Sequence, residues 1–298
     1  MSEGTLGYVK RVNCAIDYIL QDLTAPLKLE DVARTAGLSP FHFHRIFKAM
    51  IGETLHQFAK RQRLERALYM MSHVRQRSFT DIALRCGFSS SSDFSRSFRQ
   101  QYGITPSRFD LDTFRRVKSE ELHRCIEKEH GPRPTLPSID TIPEQLRVVF
   151  REIPARTVAY IRVFDPYRRD AVRAAYEKLL LWADDRKLSD GQWLGYMWDE
   201  PEIVGPSACR YDVAVVAENF EASDEVGRFV FPSMRVATIT LHGDIALETR
   251  AIDWLYKTWL PESGYVPDDQ PMFEEWIGRP FAHGSEHFEI VCMLPVAR

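Results

Sequence analysis

The chain has 298 residues, 44% of them hydrophobic, and a formal net charge of -3, enough material for two packed cores of ordinary size. The charge is divided: residues 1–120 carry 19 Lys and Arg against 12 Asp and Glu, the remainder 20 against 30, so a basic segment suited to phosphate precedes an acidic one that phosphate repels. No apolar run approaches the roughly 18 to 20 residues of a membrane span, the opening MSEGTLGYVKR carries no leader pattern, and five scattered cysteines without a C-x-x-C pair exclude a disulfide framework and a zinc site; a cytoplasmic protein free of membrane attachment is expected.

An internal repeat occupies the basic segment. LEDVARTAGLSPFHFHRIFKAMIG (29–52) aligns with FTDIALRCGFSSSSDFSRSFRQQYG (79–103) at an offset of 50: Asp31 with Asp81, Ala33 with Ala83, Gly37 with Gly87 and Ser39 with Ser89. After one inserted residue, Arg45 aligns with Arg96, Phe47 with Phe98 and Gly52 with Gly103. Each copy reads as a short helix, a turn closed by glycine in the left-handed region, and a second helix capped by serine. That is helix-turn-helix grammar, and two copies in a basic segment point to duplex DNA.

Helical periodicity separates core from surface in each second helix. Phe43, Ile46, Phe47 and Met50 are expected to pack inward, leaving Phe41, His44, Arg45 and Lys48 outward; in the second copy Phe94 and Phe98 face the core, with Ser92, Ser95, Arg96 and Arg99 outward and Ser91 beside them. Small hydroxyls let a helix N-terminus approach the duplex, and a guanidinium forks onto a guanine edge. Between the copies, residues 54–73 read as an amphipathic helix capped by Thr54 and about 30 Å long, close to the ~34 Å of one DNA turn. Its Lys60, Arg61 and Arg63 suit either the phosphate backbone or a solvated face.

The paired units, the joining helix and the closing YGITPSRF (102–109) resemble the DNA-binding domain of AraC/XylS-type transcriptional regulators. The resemblance implies base contacts from Phe41, His44 and Arg45 in the first helix and from Ser91, Ser92, Ser95 and Arg96 in the second. Where some relatives carry longer amides, this chain has Ser91 and Ser92, so its operator differs.

Residues 1–118 are thus expected as an all-α double helix-turn-helix domain, 119–145 as a linker rich in proline and charge, and 146–298 as an α+β domain. In the last, VVFREIPARTVAYIRVF reads as a strand, 171–186 as a helix, GQWLGYMWDE and RYDVAVVAE as strands. The order recurs with MRVATITLHG, a helix over 246–260, MFEEWIG and HFEIVCMLPV. Two βαββ repeats imply a pseudo-two-fold and a cleft where they meet.

With DEPEI, CRYDVAV, WLPESGY and MLPV, this half resembles the GyrI-like small-molecule-binding domain. The resemblance implies a cleft lined by aromatics and an acid, holding an amphipathic and often cationic effector. The family's acid maps onto Glu274 of FEEW, with Trp276 on the same strand face. Relatives commonly place a further Glu where Val291 stands here, and Glu289 is the nearest substitute, either paired with Glu274 or a surface charge. Tyr160, Tyr196, Trp198 and Trp259 complete the expected lining. His283 and His287, four apart around Gly284, do not suit a helical metal pair, and neither a metal nor a cofactor is expected.

The expected function is a DNA-binding transcriptional regulator reading two successive major grooves, modulated by a small ligand, with promoter DNA, the effector and RNA polymerase as partners. Two alternatives stay open. Some GyrI-like proteins are hydrolases, which would make Glu274 a general acid or base, and the acidic half could instead be a docking surface on a ligand-independent DNA binder.

Overall fold

The computed structural model describes residues 3–74, 77–131, 146–223, 225–284 and 287–298. Two compact units emerge, Met1–Arg115 with Ala222–Gly227, and Arg116–Glu221 with Arg228–Arg298. No described helix is long and apolar enough to cross a membrane.

The first unit is helical: α1 (Glu3–Gln21), α2 (Leu29–Thr35), α3 (Pro40–Ile51), α4 (Leu55–His73), α5 (Phe79–Arg85) and α6 (Ser91–Tyr102). The pairs α2/α3 and α5/α6 are the two copies of the repeat, and their turns share one hydrogen-bond pattern. The N–H groups of Gly37 and Leu38 donate to the carbonyls of Arg34 and Ala33, and those of Gly87 and Phe88 to Leu84 and Ala83. Both glycines have positive φ, 63° and 79°, which an L side chain adopts only with strain. Ser39 caps α3, with Pro40 opening the first turn, while α6 is capped by Ser90 rather than by Ser89 as the ungapped alignment had it. The inserted residue of the second copy therefore lies in the turn, and Ser89 instead donates its hydroxyl to Asp93 at 3.1 Å.

Phe43, Phe47, Phe94 and Phe98 are fully buried, and Phe47 meets Phe58 of α4 edge-on at 5.6 Å. Met50, expected inward, is 39% exposed, because α3 ends one residue later and Phe47 has already closed the core against α4. The closing YGITPSRF turns through Pro106–Arg108 and seats Phe109 on Phe98 at 5.1 Å. Helix α4 starts from a reciprocal Thr54–Gln57 capping box. Two of its basic residues serve the fold: Arg61 is held by Glu53 and Glu65, and Arg63 donates to the carbonyls of Leu23 and Ala25 at 2.7 and 3.1 Å.

Helix α7 (Leu111–His130) covers 119–130, the first part of the expected linker. Its charges form i,i+4 pairs such as Arg116–Glu120, and Leu122 and Ile126, one turn apart, are buried. The prolines of the remaining stretch, 132–145, lie outside the described residues.

The second unit is built on one sheet in the order β1 (Val149–Ile153), β6 (Met234–Gly243), β9 (Phe288–Ala297), β8 (Met272–Trp276), β3 (Trp193–Met197), β4 (Arg210–Val216), β2 (Arg156–Phe164), β5 (Gly227–Phe231), with β7 (Val266–Pro267) pairing on β9. The order reads symmetrically outward from the β8/β3 contact, as two fused repeats require. VVFREIPARTVAYIRVF is two strands rather than one: Pro154, without an N–H for the ladder, separates β1 from β2, and β1 pairs with β6 of the other repeat. Pro232 does the same between β5 and β6, and β5 lies beside β2. Each repeat is thus ββαββ, and its first strand extends the other repeat's edge. After the short α9 (Pro201–Val204) comes helix α10 (Ile245–Trp254), continuing through a π turn at Leu255–Trp259 into α11 (Leu260–Ser263); with helix α8 (Ala171–Asp184), α10 covers one sheet face.

The two turn glycines are expected to differ in tolerance. A Cβ on Gly87 would overlap the Leu23 carbonyl oxygen and lie 2.8 Å from the Thr24 Cα, whereas at Gly37 it meets only the end of the Arg11 side chain. Gly37→Ala should cost about 1 to 2 kcal/mol, the left-handed strain plus a shift of the Arg11 guanidinium that donates to the Ala36 and Gly37 carbonyls, and Gly87→Ala roughly 3 kcal/mol. Urea unfolding measures both, and equal losses would contradict this account of the turn.

Candidate functional site

In the helical unit, the residues expected to read DNA reach the surface. Phe41, His44, Arg45 and Lys48 on α3 are exposed, Phe41 to 66%. On α6, Ser92, Arg96 and Arg99 are exposed, and Ser91 and Ser95 are half-buried. The Arg45 guanidinium stands 5.7 Å from the centre of the Phe41 ring, which pre-orients the long side chain from the first turn of the same helix. Ser91 and Ser92 form the first turn of α6, where unpaired backbone N–H groups point out of the helix. Asp93 joins Ser89 and Ser90 in closing the cap.

In the sheet unit, register decides which residues meet. Glu274 of β8 stands opposite Gly195 of β3 and Cys292 of β9, and Gly195 opposite Val213 of β4; these and every second residue along each strand share the helix-covered face. Glu274 is 4% exposed. Its carboxyl hydrogen-bonds to that of Glu248 from α10, itself 6% exposed, and its Oε1 accepts from the Tyr211 hydroxyl at 3.2 Å. The Trp276 indole N–H in turn hydrogen-bonds to that hydroxyl. Gly195 makes this possible, because any Cβ there would overlap the Tyr211 hydroxyl.

The electrostatics follow from burial. Desolvation pushes Glu248 up to about 7, and desolvation with the neighbouring Glu248 charge holds Glu274 well above the ordinary carboxylate range. Among the described residues, no arginine or lysine acts on either acid. At neutral pH Glu274 therefore keeps its proton and presents it to Glu248. Trp276 continues into an aromatic cluster on the same face: Phe281 lies 5.2 Å and Phe288 5.6 Å from it, and Tyr176 of α8 joins Phe281 to Trp193.

The other expected lining residues fall elsewhere. Tyr160, Tyr196 and Trp198 belong to the opposite sheet face, one residue out of phase with Glu274, in a core with Phe229, Phe231 and Phe273. Their ring faces already hold cations of the chain itself. Arg162, bound to both oxygens of Asp212 at 2.8 and 2.7 Å, lies over Tyr160 and Trp198, and Arg156 over Tyr196 and Phe273.

Glu289 also faces away from Glu274, since it pairs with His242 while Cys292 keeps the Glu274 face; the two acids are not a pair, and Glu289 instead stands 3.7 to 3.9 Å from His242, His283 and His287. Trp259 packs near Leu260 and Leu294, 6.0 Å from Phe150. Among the described residues no group of His, Cys, Asp or Glu is arranged to hold a metal ion. The sequence reading missed Glu248, Tyr211 and Gly195. Tyr211 had a signal, since it shares strand parity with the inward Val213; Glu248, in an ordinary helical segment, had none.

The shared proton sets a pH dependence of stability. Both acids have folded-state values raised above those of an unfolded chain, so the unfolded state gives up its protons first; for Glu248 stability falls as pH rises from about 4.5 through about 7, and Glu274 adds a loss of the same sign. Glu248→Gln should remove the Glu248 share of this loss, on the order of 2 kcal/mol, so that the variant gains on the parent protein between pH 5.5 and 8.5 in thermal unfolding. A constant difference across that range would contradict the pairing.

Comparison with known proteins accords with both units. Residues 32–111 match a family described as a helix-turn-helix domain, of the AraC type, and residues 147–297 match the GyrI-like small molecule binding domain. Similar curated proteins are the probable transcriptional regulator LumQ of Photobacterium leiognathi, 36% identical over 105 residues covering 35% of this chain and 42% of that protein, and the regulatory protein PocR of Salmonella typhimurium, 34% identical over 108 residues covering 36% and 35%. The match thus spans less than half the length of either. An AraC-type DNA-binding-domain protein from Chromobacterium violaceum of known crystal structure is 30% identical over 34% of this chain and 89% of that one, with a TM-score of 0.32. The GyrI-like match extends over half of the sequence, and the chain belongs to the GyrI-like small molecule binding domain family, carrying an AraC-type helix-turn-helix region ahead of that domain.

Proposed function

We propose that the protein is a ligand-responsive, DNA-binding transcriptional regulator that acts in the cytoplasm and is not an enzyme. The observation that carries the reading is the conjunction, in one chain, of two helix-turn-helix copies with exposed reading stripes and a domain holding a buried acid pair. The DNA-binding part comprises residues 1–118 and the effector part 146–298. Phe41, His44, Arg45 and Lys48 of α3 enter one major groove; Ser91, Ser92, Ser95, Arg96 and Arg99 of α6 enter the next. Helix α4 has 19 residues, about 28 Å at 1.5 Å each, which matches the spacing of successive grooves on one duplex side.

Glu274, Glu248 and Tyr211 form the polar floor of the effector site, and Trp276 part of its wall. The ligand acts by binding one regulatory state better than another, and it is released unchanged. RNA polymerase at the promoter reads out the change. Similarity to LumQ and PocR, both named as regulators, supports this assignment.

Fluorescence anisotropy with promoter fragments selected from genomic DNA tests the DNA half. Affinity should fall steeply with salt as counterions are released. Arg45→Ala and Arg96→Ala should each cost roughly 1 to 3 kcal/mol of discrimination against scrambled duplex, and together abolish it. A double variant that keeps the parent's sequence preference would overturn the assignment of the reading helices.

A further inference from the structure

Two buried arginines of the sheet unit hold a carboxylate of the chain in the same way. Arg162 donates from Nε and Nη2, the nitrogens along one edge of the guanidinium, to both oxygens of Asp212 at 2.8 and 2.7 Å, and Arg210 donates from the same edge to Asp199 at 2.8 and 2.6 Å. Arg156 departs from this pattern. Its Nε and Nη2 are shut off from solvent, and among the described residues neither has a hydrogen-bond partner. The guanidinium lies 4.6 Å from the centre of the Phe273 ring and 5.9 Å from that of Tyr196, on the sheet face opposite Glu274. Its charge reaches the Tyr196 phenol, which burial keeps protonated. That hydroxyl, on a residue 1% exposed, has no acceptor among the described residues.

Donors therefore converge here without an acceptor. Buried polar groups are ordinarily paired, and a guanidinium set among rings without a counter-ion costs more than a neutral group would. The two acids that act on Tyr196 are already engaged, Asp212 by Arg162 and Glu275 by Arg151 at 3.3 Å. Around these rings three arginines thus face two carboxylates. What completes the group must bring acceptors and a single negative charge, shaped to match a flat edge of two N–H groups. A neutral amide lacks the charge, and a phosphate monoester near pH 7 brings nearly two.

We propose that this face is a ligand site for an organic monocarboxylate, whose two oxygens lie along the Nε/Nη2 edge of Arg156 while one of them accepts a hydrogen bond from the Tyr196 hydroxyl. The site is separate from the acid pair on the helix-covered face and does not depend on the reading of that pair. The way in is the chain crossing that carries Arg156. Strands β1 and β2 stand toward opposite edges of the sheet, so Pro154 and Ala155, both exposed, carry the backbone across, and Arg156, itself half-buried, reaches the rings from this crossing. Outward rotation of its side chain uncovers the edge for the incoming carboxylate.

The test uses the full chain at about pH 7.5 and calorimetric titration with three probes that share a benzyl group: phenylacetate, its neutral analogue phenylacetamide, and benzylphosphonate. Phenylacetate should bind most tightly, and the amide about tenfold or more weakly than that. Arg156→Lys keeps the charge but removes the fork, and should weaken phenylacetate binding by about tenfold to a hundredfold; Arg156→Gln should abolish it. Tyr196→Phe, which removes one donor, should weaken it by about tenfold. Thermal unfolding without ligand supplies a second measurement. Arg156→Met should be at least as stable as the parent, because it removes unpaired donors, while Arg162→Met should lose stability by leaving Asp212 buried without its partner.

No binding of phenylacetate to the parent chain, equal affinity for the amide, or binding unaltered in Arg156→Gln would overturn the site. Full affinity in Arg156→Lys would overturn the forked geometry, and benzylphosphonate binding as tightly as phenylacetate would overturn the carboxylate. Arg156→Met destabilised as much as Arg162→Met would mean that Arg156 holds the fold and not a ligand, which would also overturn the site.

Discussion

A hydrogen bond between two buried carboxyl groups, Glu248 and Glu274, is the constraint around which the sheet unit is arranged. It requires a proton where a solvated acid would have none, and it requires neighbours that tolerate one. Gly195 leaves room for the Tyr211 ring, Tyr211 donates to Glu274, and Trp276 backs Tyr211. Each comes from a different position in the sequence, and antiparallel register brings them to one face. The fused repeat places this face at its centre, since β8 and β3 are the strands about which the order is symmetric. The sheet's two buried acid sites are then unlike: Asp212 on one face is matched by Arg162, while among the described residues no arginine or lysine acts on Glu248 and Glu274 on the other.

The helical unit solves a different problem, the presentation of two similar helices from a small core. Its economy lies in repetition. The same glycine turn, the same pair of buried phenylalanines and the same left-handed C-terminal glycine, Gly52 or Gly103, occur in both copies. What differs is the outward chemistry, aromatic and imidazole on α3 against hydroxyls on α6, so the two helices are not equivalent readers. The basic residues of α4 are a caution against counting charges: Arg61 and Arg63 look like phosphate ligands in the sequence, and in the fold they hold Glu53, Glu65 and two backbone carbonyls.

The legible parts of the sequence were those where local chemistry and repetition agree. The helix-turn-helix copies could be read because Gly37 and Gly87 mark left-handed turns and Phe43, Phe47, Phe94 and Phe98 keep helical spacing. Glu274 was legible through family resemblance, and Trp276 through strand parity. Partnerships across the sheet were not. Tyr160 and Tyr196 have the composition of a ligand wall, but one residue of phase puts them on the far face, and Glu289 fails as a partner of Glu274 for the same reason. The exchange of β1 and β5 had a written signal in the matched Ile153-Pro154 and Phe231-Pro232, each followed by a strand with Val-Ala at its centre, yet an apolar run across a proline reads as one strand. Glu248 had no local signal at all, because only the docking of α10 on the sheet makes it a buried acid.

Glu274 carries a proton at physiological pH because its site is desolvated and Glu248 lies against it. Infrared difference spectroscopy between the parent chain and Glu274→Gln measures this directly, through the carbonyl stretch of a protonated carboxyl group. At about pH 7.5 the parent should show that band, and Glu274→Gln should lack it. A parent spectrum at that pH with only ionised carboxylate bands would contradict the account.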